Sequence, residues 1–259
     1  MGPHQSRDRS DGLRAYSGIY FWPLSRIAGA FFFGFFSITS PVGHFRRGSY
    51  TYNMPVFWLN DQDITFPHPT LAEPGGLLAV GGNLSSDRLG LAYRNGIFPW
   101  FEEDGQFFWY APDPRWVLFP KDIRIHKSMR SIFNRQKFRY TLDQAFEEVI
   151  RSCAETPRGG QQGSWITESF VEGYTRLFDQ GIAHSVEVWE GDALVGGLYG
   201  LALGRIFYGE SMFARVPNAS KAGFITLTQA LERSGFWLID CQQQTAHLES
   251  LGARGISRE

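Results

Sequence analysis

The rhythm of apolar and polar positions changes near residue 121. Between 55 and 120 the apolar residues come in short runs, such as 76–80 (GLLAV) and 107–110 (FFWY), broken by Gly, Pro and Trp. Runs of that length between turn formers predict short strands. Ser86 or Asp87 can cap a helix running to about Arg94, ahead of the turn at Asn95-Gly96. Together these features predict a small α/β domain. From Lys121 onward the elements lengthen, with helices predicted at 126–135, 142–153 and 168–180. Strands follow at 183–189 (AHSVEVW) and 193–203 (ALVGGLYGLAL), joined by a turn containing Glu190-Gly191-Asp192, which is a hairpin signal. A strand at 205–210, a helix from about 220 to 234 and an apolar strand at 236–241 (FWLIDC) complete the pattern. Helices, an antiparallel set, a helix and a further strand predict an α+β fold with an acyltransferase-like sheet.

One segment stands apart. Residues 27–38 read IAGAFFFGFFSI, an apolar run bounded by Arg26 and by Thr39-Ser40-Pro41. It falls short of the roughly 20 residues a spanning helix needs, and no small-x-small cleavage site follows it. The expectation is that residues 1–53 form a leader outside the folded enzyme. On that reading the functional chain begins near Met54, with a small domain at 54–120 and a larger one at 121–259.

Charge sharpens the division. Residues 1–53 carry six basic and two acidic side chains, a net +4, whereas 54–259 carry 19 basic and 24 acidic, a net −5. The near-neutral total excludes a wholly basic nucleic-acid binder but hides a local patch. Seven basic residues fall within KDIRIHKSMRSIFNRQKFR at 121–139, opposed only by Asp122. On a helix starting near Ile125, Lys127 and Arg130 share a face, and Arg124, Arg135, Lys137 and Arg139 extend the patch. Such a stripe suits a phosphate backbone, and also suits an ordinary solvated face. Two cysteines, Cys153 and Cys241, and six scattered histidines offer no disulfide framework and no metal spacing. The setting expected is therefore intracellular and cytoplasmic, with neither metal nor cofactor.

Candidate chemistry lies in three places. The aromatic stretches GIFPWF (96–101) and FWYAPDPR (108–115) hold Trp100, Phe101, Trp109 and Tyr110 between prolines, able to stack on a base or to fill a core. GESMF (209–213) and LIDCQ (238–242) each place a carboxylate, Glu210 or Asp240, at the end of an apolar strand. A carboxylate there can hold an ammonium ion or take its proton. Gln242 lies two residues beyond Asp240, so an extended strand would point both side chains the same way.

With these stretches in view, the chain resembles the bacterial leucyl/phenylalanyl-tRNA-protein transferases. The resemblance is carried by FPHPTLAEPGGLLAVGGNLS (66–85), AYRNGIFPWF (92–101), WYAPDPRWVLFP (109–120), GSWITESFVEGYTRL (163–177), HSVEVWEGDALVGGLYG (184–200), GESMFARVPNASK (209–221), LIDCQ, and HLESLGA (247–253). It implies a small N-terminal domain before an acetyltransferase-like (GNAT-like) C-terminal domain. It also implies transfer of Leu, Phe or Met from aminoacyl-tRNA to the N-terminal Arg or Lys of acceptor proteins, marking them for N-degron-dependent degradation, by a monomer. By position, the resemblance implies Asp240 and Gln242 as a catalytic relay and Glu210 beside the reacting amine. It assigns Leu198, Phe207, Ser211, Met212, Leu227 and Ile239 to the aminoacyl pocket, and Trp100, Trp165 and Tyr174 to the 3′-terminal adenosine. The basic stripe would then grip the tRNA backbone. The family pattern further implies a C-terminal segment after SLGARGISR, so the catalytic domain reads as shortened. Two other readings fit parts of the chain: an acyl-CoA-dependent N-acetyltransferase, although ARVPNASKAG (214–223) lacks an RxxGxG-type loop, and a non-catalytic RNA-binding module.

Overall fold

The computed structural model describes residues 56–156 and 164–258, with the backbone of short strands at 42–43, 46–47 and 50–51. The apolar run at 27–38 and Met54 lie outside the described residues. No helix among the described residues is long and apolar enough to cross a membrane.

Strands β1 (Val42–Gly43), β2 (Arg46–Arg47) and β3 (Tyr50–Thr51) precede β4 (Val56–Leu59), β5 (Leu77–Gly81), α1 (Ser86–Arg94), β6 (Phe98–Glu103) and β7 (Gln106–Tyr110). A five-stranded sheet in the order β1-β4-β5-β7-β6 makes the first unit, with α1 packed beside it. Pro99 is tolerated in β6 because that strand is an edge. The helix cap falls on Ser85, whose hydroxyl accepts from the Arg88 N–H, one residue before the predicted position.

The second unit comprises β8 (Arg115–Leu118), α2 (Lys127–Asn134), β9 (Arg139–Leu142), α3 (Phe146–Glu155), α4 (Glu168–Asp179), β10 (Ala183–Glu190), β11 (Ala193–Leu203) and β12 (Ile206–Ala214). It ends with α5 (Ala219–Arg233), β13 (Leu238–Gln242), α6 (Ala246–Ser250) and β14 (Arg254–Ile256). Its seven strands run β14-β8-β13-β12-β11-β10-β9, and β12·β13 is the parallel pair among antiparallel neighbours. Because β8 belongs to this sheet, the chain crosses between units after Tyr110 and before Arg115, ahead of the expected boundary at 120. The predicted helix at 142–153 also shifts. Leu142 ends β9, paired with Val186, and the helix starts only at Phe146, after Asp143 turns the chain at φ +56°.

β11 and β12 cover both faces of the large sheet, their alternation reset by the register shifts opposite Val188/Trp189 and at Tyr199/Gly200. Val195, Leu198 and Phe207 pack under α5, whereas Leu194, Tyr199, Tyr208 and Phe213 face α3 and α4. That second face shares one continuous core with Leu89, Tyr93, Phe98 and Trp109 of the first unit. Gly200 sits at a register shift between β11 and β12, where a Cβ would come within 2.1 Å of the Tyr208 carbonyl oxygen. The result is a two-unit α+β architecture, as expected, with a mixed sheet covered by helices on both faces.

Candidate active site

β12 and β13 pair only over three positions, the last being Tyr208 opposite Asp240. Beyond that point the parallel strands part, and a cavity of about 450 Å³ opens at their carboxyl ends. Ligands of open α/β sheets settle at such forks because no side chain of a neighbouring strand fills the gap. Phe98, Pro99 and Trp100 of β6 and Trp165 ahead of α4 supply an aromatic wall. Leu198, Phe207, Met212 and Ile239 supply an apolar one, with Ser211 beside them.

Glu210 and Gln242 stand between these walls. Glu210 Oε1 accepts from Tyr93 Oη at 2.7 Å and from Gln242 Nε2 at 2.7 Å, and its Oε2 accepts from Tyr174 Oη at 2.9 Å. The Tyr93 and Tyr174 hydroxyls also contact each other closely. Burial pushes the Glu210 carboxyl up to about 7, with Asp240 adding to the rise, while hydrogen bonds from the two tyrosines and the charge of Arg115 pull it down. Burial and the neighbouring Glu210 charge hold both phenols well above their ordinary value, so they remain protonated donors at neutral pH.

Asp240 has a different place. It is 5% exposed, does not line the cavity, and accepts from Arg115 Nε on both oxygens at 2.8 and 3.0 Å. Arg115 in turn donates through Nη1 to the Gly96 carbonyl at 3.1 Å and lies 4.7 Å from the Phe98 ring centre. The expected shared face of Asp240 and Gln242 is therefore corrected. Gln242 adopts φ +62°, at a register shift opposite β8, and its main-chain N–H donates to Asp240 Oδ1 at 2.8 Å. The bulge breaks the two-residue alternation and frees the Gln242 amide to reach Glu210.

Two further residues sit behind the cavity wall. Leu227 of α5 is packed in the core cluster behind Leu198 and Phe207, and Tyr174 is fully buried under Glu210, out of reach of a stacked base. The stripe residues Arg124, Lys127, Arg130, Arg135 and Lys137 are all exposed, away from the cavity lining. Only Lys137 among these five has an acidic partner among the described residues, Glu190 at 3.7 Å. The segment that carries the stripe abuts α6: the Arg124 N–H donates to the Leu251 carbonyl, and His126 Nε2 lies 2.9 Å from the Ser250 carbonyl. His247 and Leu248 of α6 line the cavity. Tyr93 and Arg115 are functional candidates that sequence reasoning passed over. Both lie inside the quoted stretches, but only a fold shows what a buried hydroxyl or guanidinium reaches. Among the described residues no group of three or more His, Cys, Asp or Glu side chains could hold a metal ion.

The profile matches and the sequence relatives agree with the resemblance. The leucyl/phenylalanyl-tRNA protein transferase profile matches residues 117–259, and the profile of that family's N-terminal domain matches 82–113. A leucyl/phenylalanyl-tRNA–protein transferase of Pseudomonas fluorescens (strain Pf0-1) is 53% identical over 204 residues, covering 78% of this chain and 90% of the relative. One from Syntrophobacter fumaroxidans is 54% identical over 205 residues, covering 79% of this chain and 87% of the relative. A solved GCN5-related N-acetyltransferase from Kribbella flavida aligns at 13% identity and a TM-score of 0.35, over 65% of this chain and 61% of that one. With half the chain matched by one profile and relatives above 50% identity across most of it, the chain belongs to the leucyl/phenylalanyl-tRNA protein transferase family.

Proposed function

We propose that this chain transfers Leu, Phe or Met from aminoacyl-tRNA to the N-terminal Arg or Lys of acceptor proteins and so marks them for degradation. On this reading it acts in the cytoplasm, as a monomer, without metal or cofactor. The observation that carries the reading is Glu210, an ionisable carboxyl facing a cavity with one apolar and one aromatic wall.

An aminoacyl ester is already activated, so the enzyme needs positioning and proton transfer rather than a covalent nucleophile. Leu198, Phe207, Met212 and Ile239, backed by Leu227, would hold the amino-acid side chain, with Ser211 at the pocket's edge. Trp100 and Trp165 would stack on the 3′-terminal adenine. The acceptor's α-ammonium would be drawn to Glu210, which takes one proton, while the carbonyl end of Gln242 accepts a hydrogen bond from the amine. Attack on the ester carbonyl forms the C–N bond and breaks the C–O bond to the ribose. The departing ribose oxygen takes up the second amine proton. Asp240, clamped by Arg115, would orient Gln242 through its main chain. This division of labour moves the proton acceptor from Asp240 to Glu210, because Asp240 does not line the cavity and turns both oxygens to Arg115. The test is transfer of labelled Leu and Phe to Arg- and Lys-terminal peptides, with an Ala-terminal peptide as control. Equal labelling of the Ala peptide, or none of any, would overturn the reading.

The exposed stripe would grip the acceptor stem's phosphates. Removing two phosphate contacts with Lys127→Ala and Arg130→Ala should weaken tRNA binding and reduce the slope of log K against log salt by about 2. An unaltered slope in a filter-binding titration would assign the stripe to a merely solvated face.

A further inference from the structure

The carboxylate at the centre of the cavity is held from outside its own sheet. Tyr93 belongs to α1 of the first unit, is fully buried, and packs edge-on against the Tyr208 ring at 5.2 Å. Its position on that helix is set by the Ser85 cap at one end and by Asn95, followed by Gly96 at φ +71°, at the other. From there its hydroxyl reaches Glu210 Oε1, 117 residues away in sequence. Among the described residues, the groups facing Glu210 are Tyr93 from α1, Tyr174 from α4, Gln242 and Asp240 from β13 and Arg115 from β8. Of these, Tyr93 alone comes from the first unit.

We propose that Tyr93 is a positioning residue for the transfer reaction: its hydroxyl holds the Glu210 carboxylate in the place, and in the ionised form, that the acceptor amine requires. This rests on the reading of Glu210 as proton acceptor. It makes the first unit a part of the proton-transfer apparatus as well as the source of the aromatic wall. A hydroxyl that donates to a carboxylate stabilises the charged form, so its loss favours protonation and confines the active form to higher pH. Gln242 donates to the same oxygen and Tyr174 to the other, so the carboxylate keeps two partners when Tyr93 loses its hydroxyl.

The test compares the wild-type full chain with Tyr93→Phe by two readouts. Carboxyl NMR of ¹³C-labelled glutamate, with Glu210 assigned through Glu210→Gln, should give a wild-type midpoint of about 7. In Tyr93→Phe that midpoint should rise by about one pH unit. The acid limb of single-turnover Leu transfer should rise with it, so that at pH 6 the variant falls about tenfold further below its plateau than wild type does. A lower rate with both midpoint and limb unmoved would reduce Tyr93 to packing and overturn the proposal. If Tyr93→Phe is too unstable to titrate, 3-fluorotyrosine incorporated at Tyr93 preserves packing and makes a stronger donor. It should move the midpoint down, and no movement overturns the proposal equally. Should the wild-type chain transfer nothing while the midpoint still responds to Tyr93, the activity reading fails and the hold of Tyr93 on Glu210 stands.

Discussion

Replacing Glu210 with Gln should lower single-turnover transfer of Leu to an Arg-terminal peptide by about 10²–10⁴-fold, the range lost when a positioned general base is removed. Aminoacyl-tRNA binding should change little, because the aromatic and apolar walls and the exposed stripe remain in place. The substitution suits the site. With a carboxyl pushed up to about 7, Glu210 spends much of its time protonated at neutral pH, and a glutamine amide copies the shape of that form. What it cannot do is take a proton. The measurement is single-turnover transfer with saturating charged tRNA, alongside equilibrium tRNA binding. A transfer rate within tenfold of wild type would remove Glu210 from the chemistry and return the role to another group.

Asp240→Ala is expected to act first on stability. The Asp240–Arg115 pair is almost wholly shielded, with side-chain exposures of 7% and 11%. Deleting the carboxylate leaves the Arg115 guanidinium buried without its counter-charge, a change that costs about 3–5 kcal/mol. It also removes the acceptor for the Gln242 main-chain N–H, loosening the bulge that aims Gln242 at Glu210. Urea unfolding should therefore show a lowered midpoint, and activity should fall with it. Arg115→Met should destabilise by a similar amount. Combining Arg115→Met with Asp240→Leu should recover much of the loss, since no charge is then left unpaired. If Asp240→Ala unfolds at the wild-type urea midpoint, the ion pair is not the support described here, and a direct chemical role for Asp240 regains its standing.

Much of the fold was legible because its elements are local. The helix at 168–180 and the long strand at 193–203 follow from periodicity over a dozen residues, and the structure gives Glu168–Asp179 and Ala193–Leu203. The short strand β9 was not legible. Its four residues have too little alternation to be told from the helix behind them, and its existence depends on pairing with β10. The crossing between units was also misplaced, because β8 is a strand of the second sheet only through partners more than 100 residues away.

The site divides along the same line. Residue chemistry and family resemblance brought Glu210, Asp240 and Gln242 forward, together with the Trp100 and Trp165 rings and the apolar wall. These are properties of residue type and position along the chain, which a sequence carries by itself. Which carboxylate faces the cavity is a different kind of fact. Glu210 and Asp240 look alike at the ends of apolar strands, yet Arg115 claims one, while Tyr93, Tyr174 and Gln242 gather around the other. The choice is made by side chains between 32 and 125 residues distant in the chain. A single bulge at Gln242 then reverses the face that simple alternation assigns it. Ionisation and orientation are set by partners within about 3 Å, and only the folded chain brings those partners together.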